Sequence, residues 1–187
     1  MPYSLSLSSG TIASRSFGVA KKALIIPVKV LDGRGSGAWS SILSGIQWVV
    51  TYHSQTHRRS VANLSVHGGL VQSVNDAIKA AVDSYIHFAV AAGNENEDAC
   101  LGSPGSACGA AGCITVGNVD VNDNKASDSN FGACVSLWAP GTGIVSLWNT
   151  APTATMVMSG TSMSSPHVAG VRISLLPFSL HNFYVAH

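Results

Sequence analysis

"SVANLSVHGGLVQSVNDAIKAAVDSYIHFAVAAGN", residues 60–94, switches pattern twice. Its two ends, "SVANLSV" (60–66) and "IHFAVAAGN" (86–94), are short apolar runs and read as strands buried on both faces. Between them "VQSVNDAIKAAVDSY" (71–85) has apolar residues at helical spacing and reads as an amphipathic helix. Outward toward the start, "KALIIPVKVLD" (22–32) is a further buried strand ending in an Asp-Gly turn. "SSILSGIQWVVTY" (40–52) follows, with Ile42, Leu43, Ile46, Val49 and Val50 on one helical face and serines able to cap it. Strand, helix, strand, helix, strand is the pattern of an α/β protein with a mainly parallel sheet and right-handed crossovers. Ligands gather at the carboxyl ends of such strands, here Leu31-Asp32, Val66-His67 and Gly93-Asn94. Beyond residue 94 come shorter strands: "CITVGNV" (113–119), "VSLWAP" (135–140), "IVSLW" (144–148) and "ATMVMSG" (154–160). The tail, "VRISLLPFSLHNFYVAH" (171–187), changes character: Pro177 should stop or kink the preceding helix, and the rest reads as irregular, without a partner.

Length and composition fit one domain with a real core. Of 187 residues, 46% are hydrophobic and only 10% charged, against about 25% charged in typical soluble domains. The net charge of +1 gives no electrostatic reason to expect nucleic acid or an anionic membrane. No apolar run approaches the roughly 20 residues of a membrane span. "MPYSLSLSSG" (1–10) lacks the charged start and apolar run of a signal peptide. Cys100, Cys108, Cys113 and Cys134 form no CxxC pair, which argues against zinc-ribbon or thioredoxin-like chemistry. Their even number points to disulfides and an oxidising compartment, opposite to what the missing leader suggests.

"MSGTSMSSPHVAG" (158–170) carries the chemistry. Ser162 lies where a strand gives way to a helix. Free N–H groups and the helix dipole at such a point stabilise an alkoxide or a tetrahedral oxyanion. The plainer alternative is a helix cap, for which serine is favoured. In "VAAGNEN" (90–96), Asn94 follows a buried strand and a glycine. Its amide is placed to donate to an oxyanion at the sheet's carboxyl edge, although Asn after Gly also marks plain turns. Neither a GxGxxG nor a Walker-type glycine loop appears, which argues against a nucleotide-binding protein.

"SGTSMSSPHVAG" resembles the nucleophile segment of the subtilisin-like (subtilase) serine proteases, and "FAVAAGNENEDAC" resembles their oxyanion-asparagine segment. "GTIASRSFGVAKKALIIPVKVLDGRGSGAWSSILSGIQWVV" is similar to the stretch that follows the catalytic histidine in the proteinase K branch. The likeness divides the chain into a leader (1–9), a partial subtilase catalytic domain (10–170) and a divergent tail (171–187). It implies a three-layer fold with helices on both faces of the sheet, lacking its first strands. Ser162 would be the nucleophile of a secreted, monomeric endopeptidase acting on polypeptides, and Asn94 would share the oxyanion with the Ser162 N–H. Gly35-Ser36-Gly37 and Ser65-Val66-His67 would be two edges pairing with an extended substrate. Ala91, Ala92 and Gly93 would line the first specificity pocket. Cys100 and Cys134 resemble a disulfide pair of some members. Cys108 and Cys113 are spaced to close a small loop.

The departures from the family are equally specific. Subtilases order their triad Asp, His, Ser. By the resemblance Ser4 stands at the histidine position, and the aspartate segment would precede residue 1. His53 and His57 fall in a polar loop after a helix, His87 in a buried strand, and His167 in the nucleophile helix as a structural residue. His67 replaces a glycine of the family and reads as solvent-facing or packing rather than as a substitute base. Ser136 stands where the branch often has a calcium-binding aspartate, and a hydroxyl is the poorer ligand. No cofactor or metal is otherwise required. Asn63-Leu64-Ser65 matches a glycosylation sequon inside a predicted buried strand. The missing aspartate strand would lie mid-sheet, so its neighbours are expected to carry unpaired backbone rows. Three readings follow: an inactive endopeptidase fragment, a non-catalytic peptide-binding homologue, or an incomplete reading frame of an active enzyme.

Overall fold

The structure is a computed structural model that describes residues 3–109, 112–151, 153–176 and 182–186. In chain order the elements are α1 (Tyr3–Ala13), β1 (Leu24–Val28), α2 (Trp39–Thr56), β2 (Ser60–Leu64), β3 (Gly68–Gly69), α3 (Gln72–Asp83) and β4 (Ile86–Ala91). They continue with β5 (Gly102–Ser103), β6 (Cys113–Val119), β7 (Leu137–Pro140), β8 (Ile144–Leu147), β9 (Thr155–Met158), α4 (Thr161–Ser174) and β10 (Asn182–Ala186). Six strands form a parallel sheet in the order β1-β10-β2-β4-β6-β7. The pairs β3–β5 and β8–β9 are antiparallel.

Both faces of the central strands are covered, which is why β2, β4 and β6 are largely apolar. On one side α2 and α3 bring Ile42, Ile46, Val49, Val74 and Ile78 against Ala62, Leu64, Phe88, Val90 and Tyr184. On the other, α1 and α4 bring Ile12, Val168, Ala169 and Ile173 against Val61, Ala89, Val116 and Val185. Consecutive residues such as Val61 and Ala62, or Tyr184 and Val185, serve opposite layers, as the two-residue period of a strand requires.

The tail departs from expectation. Residues 182–186 are a strand, not an irregular end, and they lie between β1 and β2 in unbroken parallel register. The expected unpaired rows are therefore filled, because β10 meets the hydrogen-bonding edges of both neighbours. Tyr184 and Val185 are fully buried. The Tyr184 ring meets Trp48 and Tyr52 of α2 edge-on, with centroids 6.3 and 6.2 Å apart. Pro177 lies outside the described residues.

Smaller corrections concern helix starts. The serines read as caps of α2 lie inside its first turn, and its N-cap is Ala38, with no capping side chain. α1 was not foreseen as an element; Leu7, Ser8, Thr11 and Ile12 of this helix are buried. Cys100–Cys134 and Cys108–Cys113 are both disulfides, with Cα atoms 5.3 and 4.9 Å apart. Asn63 is fully buried and donates to Ser65 Oγ at 2.9 Å, so the sequon is not accessible in the fold.

Candidate active site

Ser162 is the second residue of α4, two residues past the Gly160 N-cap. Gly160 has φ +139°, a backbone conformation that L side chains rarely adopt, and a Cβ there would sit 3.3 Å from Asn94 Oδ1. No side chain of its own caps this helix. Thr161 N–H donates to Asn94 Oδ1 at 2.8 Å and Met163 N–H to the Gly160 carbonyl at 2.9 Å. Among the described residues the Ser162 N–H has no intramolecular acceptor, leaving one helix-start donor for a ligand.

Asn94 is the matching half. Its Oδ1 accepts from Thr161 N–H and, at 3.1 Å, from Thr161 Oγ. With the oxygen end of the amide committed, Nδ2 is the end left to donate. Gly93 N–H donates to Thr161 Oγ at 3.2 Å, tying the end of β4 to the start of α4. Asn130 holds the following loop: its Oδ1 accepts the N–H groups of Glu95 and Glu97, and its Nδ2 donates to the Ala92 carbonyl and Glu95 Oε2.

The other side of Ser162 is built from hydroxyls. Ser162 Oγ donates to the Ser65 carbonyl at 3.2 Å, and Ser65 Oγ donates to the Ser162 carbonyl at 2.9 Å. Ser65 Oγ also accepts from Asn63 Nδ2 and from Ser8 Oγ of α1, and lies 3.1 Å from Ser165 Oγ. None of these groups is ionisable near neutral pH.

A cleft of about 480 Å³ opens over Ser162 and brings together Gly35, Ser36, Gly37, Ser65, Val66, His67 and Asn94. Ala91 and Ala92 are fully buried at the end of β4, and Gly93, with φ +107°, follows; these three stand behind the cleft rather than in its lining. Gly35-Ser36-Gly37 follows a turn at Gly33-Arg34 and lies in no strand. Asp32 Oδ1 accepts the Arg34 and Ser36 N–H groups, and Asp32 N–H donates to the Ser36 carbonyl at 2.7 Å. These backbone donors, Ser36 first and then Arg34, hold the Asp32 carboxyl below its ordinary value. Ser36 is thereby closed to a pairing strand. The Gly37 N–H and carbonyl have no intramolecular partner among the described residues.

The sequence profile described as "Subtilase family" matches residues 6–176. This chain belongs to the subtilase family. Subtilisin-like serine protease Rho m 2.0101 of Rhodotorula mucilaginosa is 44% identical over 95% of this chain and 53% of its own length. Subtilisin-like serine protease Pen ch 18 of Penicillium rubens is 46% identical over 90% and 36%, and cerevisin of Saccharomyces cerevisiae 45% over 94% and 29%. A cold-adapted subtilisin-like serine proteinase of known crystal structure superposes with a TM-score of 0.83 at 40% identity, over 91% of this chain and 59% of its own. The subtilase chain thus spans between about a third and a little over half of these relatives, and its fold is the α/β subtilisin-like one.

The Ser162 hydroxyl is hydrogen-bonded to the Ser65 carbonyl and, among the described residues, to no histidine. His53 sits in the last turn of α2, not in a loop, with Nδ1 2.9 Å from Ser60 Oγ; burial lowers its pKa. His57 is the left-handed C-cap of α2. His87 Nδ1 meets Arg172 at 3.0 Å, and burial first, then that guanidinium, lower its pKa. His167 Nδ1 lies 2.9 Å from the Met163 carbonyl, and burial lowers its pKa. His67 is neither solvent-facing nor simply packed: mostly buried, it places Nε2 3.2 Å from Glu95 Oε2. Ser4 belongs to the first turn of α1. Ser136 Oγ accepts the Thr115 N–H at 3.1 Å, joining the start of β7 to β6. Thr161, Asn130, Glu95 and Ser8 were not foreseen as site residues; Thr161 and Glu95, each beside a residue that was, lie in the two segments that carried a signal.

Proposed function

We propose that this subtilase chain carries the nucleophile half of a serine endopeptidase site and is inert toward peptides as it stands. In this reading Ser162 Oγ attacks a scissile carbonyl, while Asn94 Nδ2 and the Ser162 N–H receive the developing oxyanion. The attack needs a base to take the hydroxyl proton as the C–O bond forms. One observation carries the reading: the Ser162 hydroxyl donates to the Ser65 backbone carbonyl, which holds the proton without accepting it. Two disulfides support a chain made for an oxidising, extracellular setting. The reading requires no cofactor, and Ser136, engaged with Thr115, is assigned no calcium. It describes a monomer whose partners are polypeptides.

The test is labelling of the purified chain by a fluorophosphonate, with Ser162 located by mass spectrometry. The expected rate is about 10² to 10⁴ below that of cerevisin, the usual contribution of a general base. Labelling at cerevisin's rate would overturn the reading.

The 480 Å³ cleft and the unpartnered Gly37 backbone favour a second reading, a homologue that binds extended peptides without cutting them. Saturable binding of an extended peptide, returned intact, would support it. No binding, or cleavage, would remove it.

A further inference from the structure

We propose that His67, Glu95 and Glu97 form a site for a divalent transition-metal ion of the zinc class, set in the wall of the cleft beside Asn94. The inference does not depend on peptide cleavage or binding. One ligand atom from each residue lies within 4.8 Å of the other two. His67 Nε2 and Glu95 Oε2 are already 3.2 Å apart. Donors around a tetrahedral zinc at about 2.0–2.2 Å stand about 3.4 Å from one another, so this pair already spans one edge of the tetrahedron. Glu97 is exposed and closes the remaining gap by a side-chain rotation. Water completes the coordination, as is usual where a protein supplies three ligands.

The site is held in place rather than assembled by chance. The His67 ring lies between Gly93 and Gly102, and a Cβ on either glycine would strike it. His67 Nδ1 is buried without a hydrogen-bond partner among the described residues, so the ring's polar contact runs through Nε2 toward Glu95. Asn130 orients the Glu95 carboxylate and fixes the backbone N–H of both glutamates, the outer-shell support that metal ligands depend on. The nearby cation Lys125 is drawn to Asn96 Oδ1 and to the carbonyls of Ala126 and Ser129. An imidazole with two carboxylates suits zinc, nickel or copper better than magnesium or calcium.

The experiment titrates the full chain, freed of metal by EDTA and dialysis, with ZnCl₂ by calorimetry, and repeats the titration with CoCl₂ in the visible spectrum. The expected result is one saturable site, tetrahedral Co(II) absorption, and no competition from MgCl₂. E97Q and H67Q should each weaken binding by more than about 10-fold, a loss that even outer-shell changes cause. Because Glu97 is exposed, E97Q keeps the fold even where H67Q does not, and circular dichroism checks both. Absence of saturable binding, or equal affinity in wild type and E97Q, would overturn the proposal.

Discussion

Ser162 stands between two unlike walls. On the Asn94 side, each polar group has a direction imposed by another: Thr161 fixes the Asn94 oxygen, and Asn130 fixes the loop behind it. On the Ser65 side, Ser8, Asn63 and Ser165 converge on the Ser65 hydroxyl in a neutral, buried network. The first wall is organised toward a ligand, the second toward itself. On the proposed reading Ser162 needs both charge stabilisation and proton removal, and the Asn94 wall serves the first of these.

The contrast is broken most severely from behind. β10 backs the strand that delivers Ser65, and Y184A removes its fully buried ring. Urea denaturation should show a loss of about 3–5 kcal/mol, as for large aromatic deletions in a core. An unchanged midpoint would mean that β10 does not hold the Ser65 wall.

Next, S65A and N94A should separate the two walls. S65A strands Asn63 Nδ2 and the Ser8 hydroxyl in a buried place, at a cost of about 1–3 kcal/mol in the same denaturation assay. It leaves the Ser65 carbonyl, and so the slow fluorophosphonate labelling, unchanged. N94A should slow that labelling by a further factor of about 10 to 100, the worth of one hydrogen bond to a charged group. Equal effects of the two variants on both readouts would erase the distinction.

The smallest effect is on pH dependence. His53, His87 and His167 are held below the ordinary histidine value of 6.5 by burial. Between their folded values and 6.5 the unfolded chain binds more protons, so stability rises with pH. The melting temperature should fall as pH drops below 6.5, while the neutral Ser65 network contributes nothing to that slope. A melting temperature that climbs on acidification contradicts the assignment.

Most of the sheet was legible because its strands and helices carry their own periodicity. Cys113–Val119 is read to the residue, and α3 differs by a residue or two at each end. β10 was not legible, because "NFYVA" becomes a strand only where β1 and β2 offer open edges. α1, "YSLSLSSGTIA", mixes serines and apolar residues without a clear stripe, and its helix rests on packing against α4. Ser162 and Asn94 stood out because their flanking segments are distinctive. Ser8, Ser65 and Asn130 reach partners 33 or more residues away, which no local pattern reports.

The place of β10 has a consequence for synthesis. A strand at the interior of the sheet is last of the sheet strands in chain order, more than 150 residues after its neighbour β1. In the fold described here, the strand that bridges β1 and β2 is made after both of them. In this arrangement the centre of the sheet closes after its flanks. Undocking of β10 from this sheet would leave the facing edges of β1 and β2 unpaired, the kind of surface that recruits chaperones or seeds aggregation.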